Sequence, residues 1–182
     1  TACKLNDTTA EFLILGGGDG IIASELLKYP VAGITLVDID ERVTALSRSH
    51  LNLMNNNSLD SPLVDIKNID ALTYVQNCDK EKYDAIFLDI TDPHPNSPSA
   101  SLLGSNVIKN YKECLSDDGI IVSQTDNPFV TPQHMDQLKK NFAANFKHTG
   151  VFAISAMTFS GAFSFVWASD THSELSFDEN IV

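Results

Sequence analysis

Phe12-Leu13-Ile14-Leu15-Gly16-Gly17-Gly18-Asp19-Gly20-Ile21-Ile22 is the stretch that decides the fold. Residues 12–16 read as a short strand whose apolar run is buried on both faces, as in a parallel sheet. The glycines that follow let the backbone turn sharply and let a ligand approach closely. A helix pattern begins at once, over residues 20–28, and Pro30 closes it. In an open parallel sheet a loop of this kind lies at the carboxyl end of its strand, where ligands bind.

Asp19 narrows the ligand. Gly16-x-Gly18-x-Gly20 is tighter than the dinucleotide spacing and fits better the turn used for adenosyl sulfonium ligands. A carboxylate at a helix N-terminus is stabilised by the dipole, but it repels a pyrophosphate placed there. Asp38 ends a second buried strand pattern, residues 33–38, about 20 residues beyond the loop, which is the ribose position of nucleotide-binding folds. A carboxylate there accepts from both ribose hydroxyls. The alternative is a helix N-cap, a role Asp40 fills more naturally, with Glu41 in the first turn. Asp70-Ala71 follows a third strand pattern, residues 63–66, and opens a helix over 71–76. Asp70 either accepts from an adenine amino group or caps that helix.

A second acidic loop, Asp89-Ile90-Thr91-Asp92-Pro93, follows the strand pattern 83–89. With Asp19 and Asp38 it gives one crevice several carboxylates, which suits a cationic substrate and argues against a phosphate-rich one. Residues 92–101, rich in proline and serine, form a loop of the length that often serves as a functional lid. Helix patterns cover 41–53, with Val43, Leu46, His50, Leu51 and Met54 at helical spacing, and also 105–115 and 131–146, the last opening on Thr131-Pro132. Asn55-Asn56-Asn57-Ser58 reads as an exposed turn. Residues 116–119 turn into a fifth strand over 120–124. Two closing strands, 151–158 and 163–168, are joined by Phe159-Ser160-Gly161-Ala162, a hairpin signal. The expectation is an α/β fold, mostly parallel with an antiparallel edge and right-handed crossovers, in one domain over residues 1–182 with a mobile acidic tail from about residue 170.

The 182 residues are 43% hydrophobic, enough for a substantial core, and carry a formal charge of −12 from 12 basic and 24 acidic residues. No basic stripe neutralises phosphates, so nucleic acid is not an expected partner. The acidity serves either solubility or attraction of a polycation. Cys3, Cys78 and Cys114 have no metal or redox spacing and read as free thiols of a reducing compartment. No apolar run reaches the roughly 18 residues of a membrane span. Those free thiols give the expectation of a cytoplasmic location, and Thr1, not Met and close to the first strand, gives that of a domain cut from a longer protein, either free of the membrane or attached to it. His50, His94, His134, His148 and His172 lack metal-ligand spacing; His94 adjoins the second acidic loop.

Taken together, Gly16-Gly17-Gly18-Asp19-Gly20, Val37-Asp38-Ile39-Asp40, Asp70-Ala71, Asp89-x-x-Asp92-Pro93, Gln124 and Met157-Thr158-Phe159-Ser160-Gly161 with Phe165 resemble the spermidine synthase family of polyamine aminopropyltransferases over residues 12–169. The resemblance implies a Rossmann-like, S-adenosylmethionine-dependent methyltransferase-type fold with a seven-stranded sheet, preceded by a small β-rich domain that supplies a Gln and a Tyr to the amine. It implies transfer of an aminopropyl group from decarboxylated S-adenosylmethionine, a co-substrate rather than a prosthetic group, to a putrescine-like diamine, in a homo-oligomer, expected to be a dimer. By the same resemblance Asp19 holds the aminopropyl ammonium, Asp38 the ribose, and Asp70 with Ala71 the adenine. Asp89 accepts the proton, while Asp92, Gln124 and Phe159 lie on the amine side.

The chain departs from the family pattern in several places. Asp38 stands for the usual Glu, Ala71 for Gly, Phe159 for Tyr, Ser24 for Arg, and His94-Pro95-Asn96 for Gly-Pro. The nucleoside half is intact and the amine half altered. Two other readings stand beside this one: an S-adenosylmethionine-dependent methyltransferase on the same fold, and a non-catalytic polyamine or nucleoside-binding domain.

Overall fold

Period-two alternation along the strands sends side chains to two separate cores. The computed structural model describes residues 10–90, 101–159 and 161–175. Strands β1 (Ala10–Gly16), β2 (Val31–Val37), β3 (Val64–Lys67), β4 (Tyr83–Asp89), β5 (Leu115–Gln124), β6 (His148–Ala156) and β7 (Gly161–Ser169) form one sheet in the order β3-β2-β1-β4-β5-β7-β6. The helices are α1 (Ile21–Leu26), α2 (Glu41–His50), α3 (Ala71–Gln76), α4 (Ser105–Cys114) and α5 (Pro132–Ala143). Leu13, Leu15, Ile86 and Leu88 pack on one face with Val75, Ile108, Tyr111, Leu138 and Phe142 of α3, α4 and α5. Phe12, Ile14, Ile34 and Leu36 pack on the other with Ala23 and Leu26 of α1 and with Leu59. Helices on both faces explain why the central strands are apolar throughout.

The first five strands pair in parallel, while β7 is antiparallel to both β5 and β6. This is the expected mostly parallel seven-stranded, methyltransferase-type sheet with a C-terminal antiparallel hairpin. The turn expected at residues 116–119 is absorbed into β5. Register there jumps from Tyr83↔Leu115 to Ala85↔Ile120, so Asp117-Asp118-Gly119 forms an irregularity inside the strand. Residues 170–175, expected in the tail, are held. Asp170 pairs with Lys112 at 2.7 Å, His172 Nε2 lies 3.0 Å from Asp118 O, and Leu175 packs on the core. Residues 176–182 lie outside the described residues.

Helix α2 overturns a simple amphipathic reading. Val43, Leu46, Leu53 and Met54 face solvent, with Leu46 59% and Met54 64% exposed. The buried side is Thr44 and Ser47. This helix docks by hydrogen bonds instead of apolar burial. Thr44 Oγ1 accepts from Asn68 Nδ2 at 3.3 Å, Arg48 Nη2 donates to Leu59 O at 2.8 Å, and Asn55 Nδ2 donates to Ser47 O at 3.5 Å. The helix ends at His50.

Candidate active site

The strand order reverses between β1 and β4, and such a switch point opens a crevice at the carboxyl ends of the strands. Gly16 and Asp89, the last residues of these two strands, are register partners, and Gly17 N donates to Asp89 O at 3.2 Å. Gly16 has φ +85°, and a Cβ there would lie 2.0 Å from Asp89 O. Only glycine fits, and its absence of side chain is what brings the two loops into contact.

The carboxylate of Asp38 joins this assembly from β2. Its Oδ2 accepts from Gly18 N and its Oδ1 from Asp40 N, both at 2.9 Å. A Cβ on Gly18 would come within 2.5 Å of Asp38 Oδ2, so glycine at 18 makes room for the acid. Asp40 is the N-cap of α2, accepting from Arg42 N, which leaves Asp38 turned toward the glycine loop. Asp19 Oδ1 accepts from Ile21 N at 2.9 Å, placing its carboxylate at the start of α1. Burial first, and then the charges of Asp19 and Asp38, push the Asp89 carboxyl up to about 6. Three acids from three different loops therefore share one electrostatic environment.

The remaining expected residues divide. Asp70 caps α3, accepting from Thr73 N at 2.8 Å, so the capping contact is the one observed, and Ala71 behind it is buried. Gln124, at the end of β5, donates through Nε2 to Ile90 O at 2.9 Å and thereby fixes the backbone immediately after Asp89. Asp92, His94 and the side chain of Phe159 lie outside the described residues.

Sequence reasoning missed the support beneath the glycine loop. Asn55 and Ser58, expected in an exposed turn, are each 1% exposed. Asn55 Nδ2 donates to Asp19 O at 2.8 Å and Ser58 Oγ to Gly20 O at 2.7 Å. Asn56 Nδ2 donates to Ser24 Oγ at 3.0 Å. Asn56 and Asn57 take positive φ of 49° and 54°. Asparagine tolerates this conformation better than other side-chain-bearing residues, so the run of three asparagines was the available signal. Among the described residues no group of three or more His, Cys, Asp or Glu is arranged to hold a metal ion, and no helix is long and apolar enough to cross a membrane.

A glycine-rich loop, three carboxylates in one electrostatic environment and this strand order mark the switch point as the candidate site. The spermine/spermidine synthase domain matches residues 2–179, and the chain belongs to that family. A polyamine aminopropyltransferase of Pyrobaculum aerophilum is 34% identical over 166 residues, covering 90% of this chain and 57% of that protein. One from a Thermoanaerobacter species is 37% identical over 151 residues, covering 82% and 53% respectively. A spermidine synthase solved in complex with the transition-state analogue AdoDATO superposes with a TM-score of 0.82 at 27% identity, over 88% of this chain and 55% of that one. The chain thus spans about half the length of the relatives it matches.

Proposed function

We propose that this crevice carries out aminopropyl transfer from decarboxylated S-adenosylmethionine to a putrescine-like diamine, releasing methylthioadenosine. The observation that carries the reading is Asp89, half-buried at the switch point, its carboxyl raised by burial and by the charges of Asp19 and Asp38. The names of the relatives point the same way. In the reaction the amine nitrogen attacks the aminopropyl carbon bonded to the positive sulfur. The carbon–sulfur electron pair stays with sulfur, so the leaving group is a neutral thioether that needs no acid. The nitrogen must lose a proton, and an amine with an ordinary pKa of about 10 is protonated at neutral pH. The adjacent sulfonium disfavours a second positive charge, which lowers that barrier. Asp89, at the end of β4, is then the acceptor.

In the same reading Asp38 receives the ribose hydroxyls, Asp70 and Ala71 border the adenine, Asp19 takes the aminopropyl ammonium, and Asp92, Gln124 and Phe159 serve the amine side. The test is incubation with putrescine and decarboxylated S-adenosylmethionine, following methylthioadenosine release. Binding of both without release would replace the reading with a polyamine-binding domain. Methyl transfer from S-adenosylmethionine would replace it with a methyltransferase.

Asp19 gives a sharper prediction. The ordinary donor carries a carboxylate where the decarboxylated one has only its ammonium, and like charges in a partly buried site repel strongly. Calorimetry should find that Asp19→Asn narrows the preference for the decarboxylated donor by about tenfold or more. An unchanged ratio of affinities would remove Asp19 from this role.

A further inference from the structure

The carboxyl ends of α3 and α4 bring two cysteines together away from the crevice. Cys114 is the last residue of α4 and is buried in the core cluster that also contains Val75. Cys78 lies just beyond α3, packs on the same cluster and is partly exposed. The Cys114 thiol donates to Val75 O at 3.7 Å and the Cys78 thiol to Asp79 O at 3.3 Å. Val75 lies in the last turn of α3, three residues before Cys78, so the Cys114 thiol sits at the end of the helix that Cys78 follows, and both thiols are free. We propose that Cys78 and Cys114 form a reversible oxidation site, closed to an intramolecular disulfide by hydrogen peroxide and reopened by thiol reductants.

Exposure assigns the roles. The Cys78 thiolate attacks one peroxide oxygen, the O–O bond breaks, and the departing hydroxide takes a proton to leave as water. The resulting sulfenic acid is then attacked by Cys114 sulfur, which forms the S–S bond and expels hydroxide. That hydroxide combines with the Cys114 proton to give a second water. Two thiols are oxidised and one peroxide is reduced. The surroundings agree with this order. Contact with Cys114 and the charge of Lys82 lower the Cys78 thiol below its ordinary pKa, whereas contact with Cys78 and burial push that of Cys114 up. The closed ring would run from residue 78 to residue 114 and enclose β4, the strand that ends in Asp89. Neither cysteine belongs to the crevice, so the site stands or falls independently of the reaction proposed above.

The experiment treats the whole chain with a small excess of hydrogen peroxide and maps the thiols under non-reducing conditions. The expected result is loss of two thiols and about 2 Da per chain, with a peptide joining Cys78 to Cys114 that dithiothreitol separates. A ring of that length should also raise Tm by about 5–10 °C. Cys3→Ser should leave all of this unchanged. Cys114→Ser, which removes the resolving thiol, should leave a sulfenic acid on Cys78 that dimedone traps. Cross-links through Cys3 or between chains would overturn the proposal. So would wild-type protein in which Cys78 proceeds to sulfinic acid while Cys114 still titrates as a free thiol after unfolding.

Discussion

Asp89→Asn should slow methylthioadenosine release by about 10²–10⁴-fold, the range a positioned base contributes, while leaving methylthioadenosine affinity nearly unchanged. The asymmetry follows from where the residue stands. Asp89 contributes its backbone carbonyl to Gly17 N, a contact that the amide variant keeps, and in the proposed reaction its side chain serves the reacting nitrogen. The wild-type carboxyl, raised to about 6 by burial and then by Asp19 and Asp38, should also give kcat/KM an acid limb with its midpoint near 6 in the free protein. Any residual activity of the variant should lack that limb. Stability should move in the opposite direction. Because the folded pKa lies above the ordinary value of 3.8, the folded state binds more protons between the two. The associated stability is present below about 3.8 and lost as pH rises through about 6. Asn removes the buried charge, so the variant should be more stable than wild type at pH 8, by up to about 3 kcal/mol, and no different near pH 4. Thermal melts at the two pH values, read beside the rate, separate the base from a merely structural acid. A rate loss matched by an equal loss of methylthioadenosine affinity would rule out the assigned role.

The parts of this fold that sequence made legible are those where one local rule dominates. β4 and α3 begin and end where hydrophobic runs and capping acids place them, over Tyr83–Asp89 and Ala71–Gln76. The glycine loop was legible because positive φ and close approach leave no substitute at Gly16. Legibility failed where tertiary partners overrode the local pattern. The apolar spacing of α2 implied a buried Leu46, yet Thr44 and Ser47 are the buried residues, and Asn68 to Thr44 Oγ1 and Asn55 to Ser47 O are hydrogen bonds that no periodicity encodes. The Asn55–Ser58 run looked like solvent-facing punctuation because its partners, Asp19 O and Gly20 O, lie more than thirty residues earlier in the chain. In the site, Gly16, Gly18, Asp19, Asp38 and Asp89 converge as the motif spacing implied, because the switch point places these strand ends side by side. Asp70 was ambiguous from sequence for a physical reason: one carboxylate at a helix start satisfies both a cap and a ligand, and the cap is what it makes here.

Asp38→Asn should raise the Kd for methylthioadenosine by about 10²–10³-fold, corresponding to about 3–4 kcal/mol. In the wild type both carboxylate oxygens are already engaged, Oδ2 with Gly18 N and Oδ1 with Asp40 N, and each retains a lone pair for a ribose hydroxyl. An amide has one acceptor oxygen. Whichever way it turns, its NH₂ faces a backbone N–H, one buried donor loses its partner, and the charge-assisted bonds to ribose become weaker ones. In the proposed reading, loop support and ribose binding fall to the same two atoms, and affinity alone does not separate them. Comparison with 2′-deoxy-methylthioadenosine does. Wild-type protein should bind the deoxy compound about tenfold or more weakly, and the Asn variant should bind the two nearly alike. Gly18→Ala should act in the same direction while keeping the acid, since its Cβ would meet Asp38 Oδ2 at 2.5 Å and drive the carboxylate out of place. If Asp38 served only to brace the loop, Asp38→Asn would lower Tm and weaken both ligands equally, and the deoxy discrimination would persist undiminished.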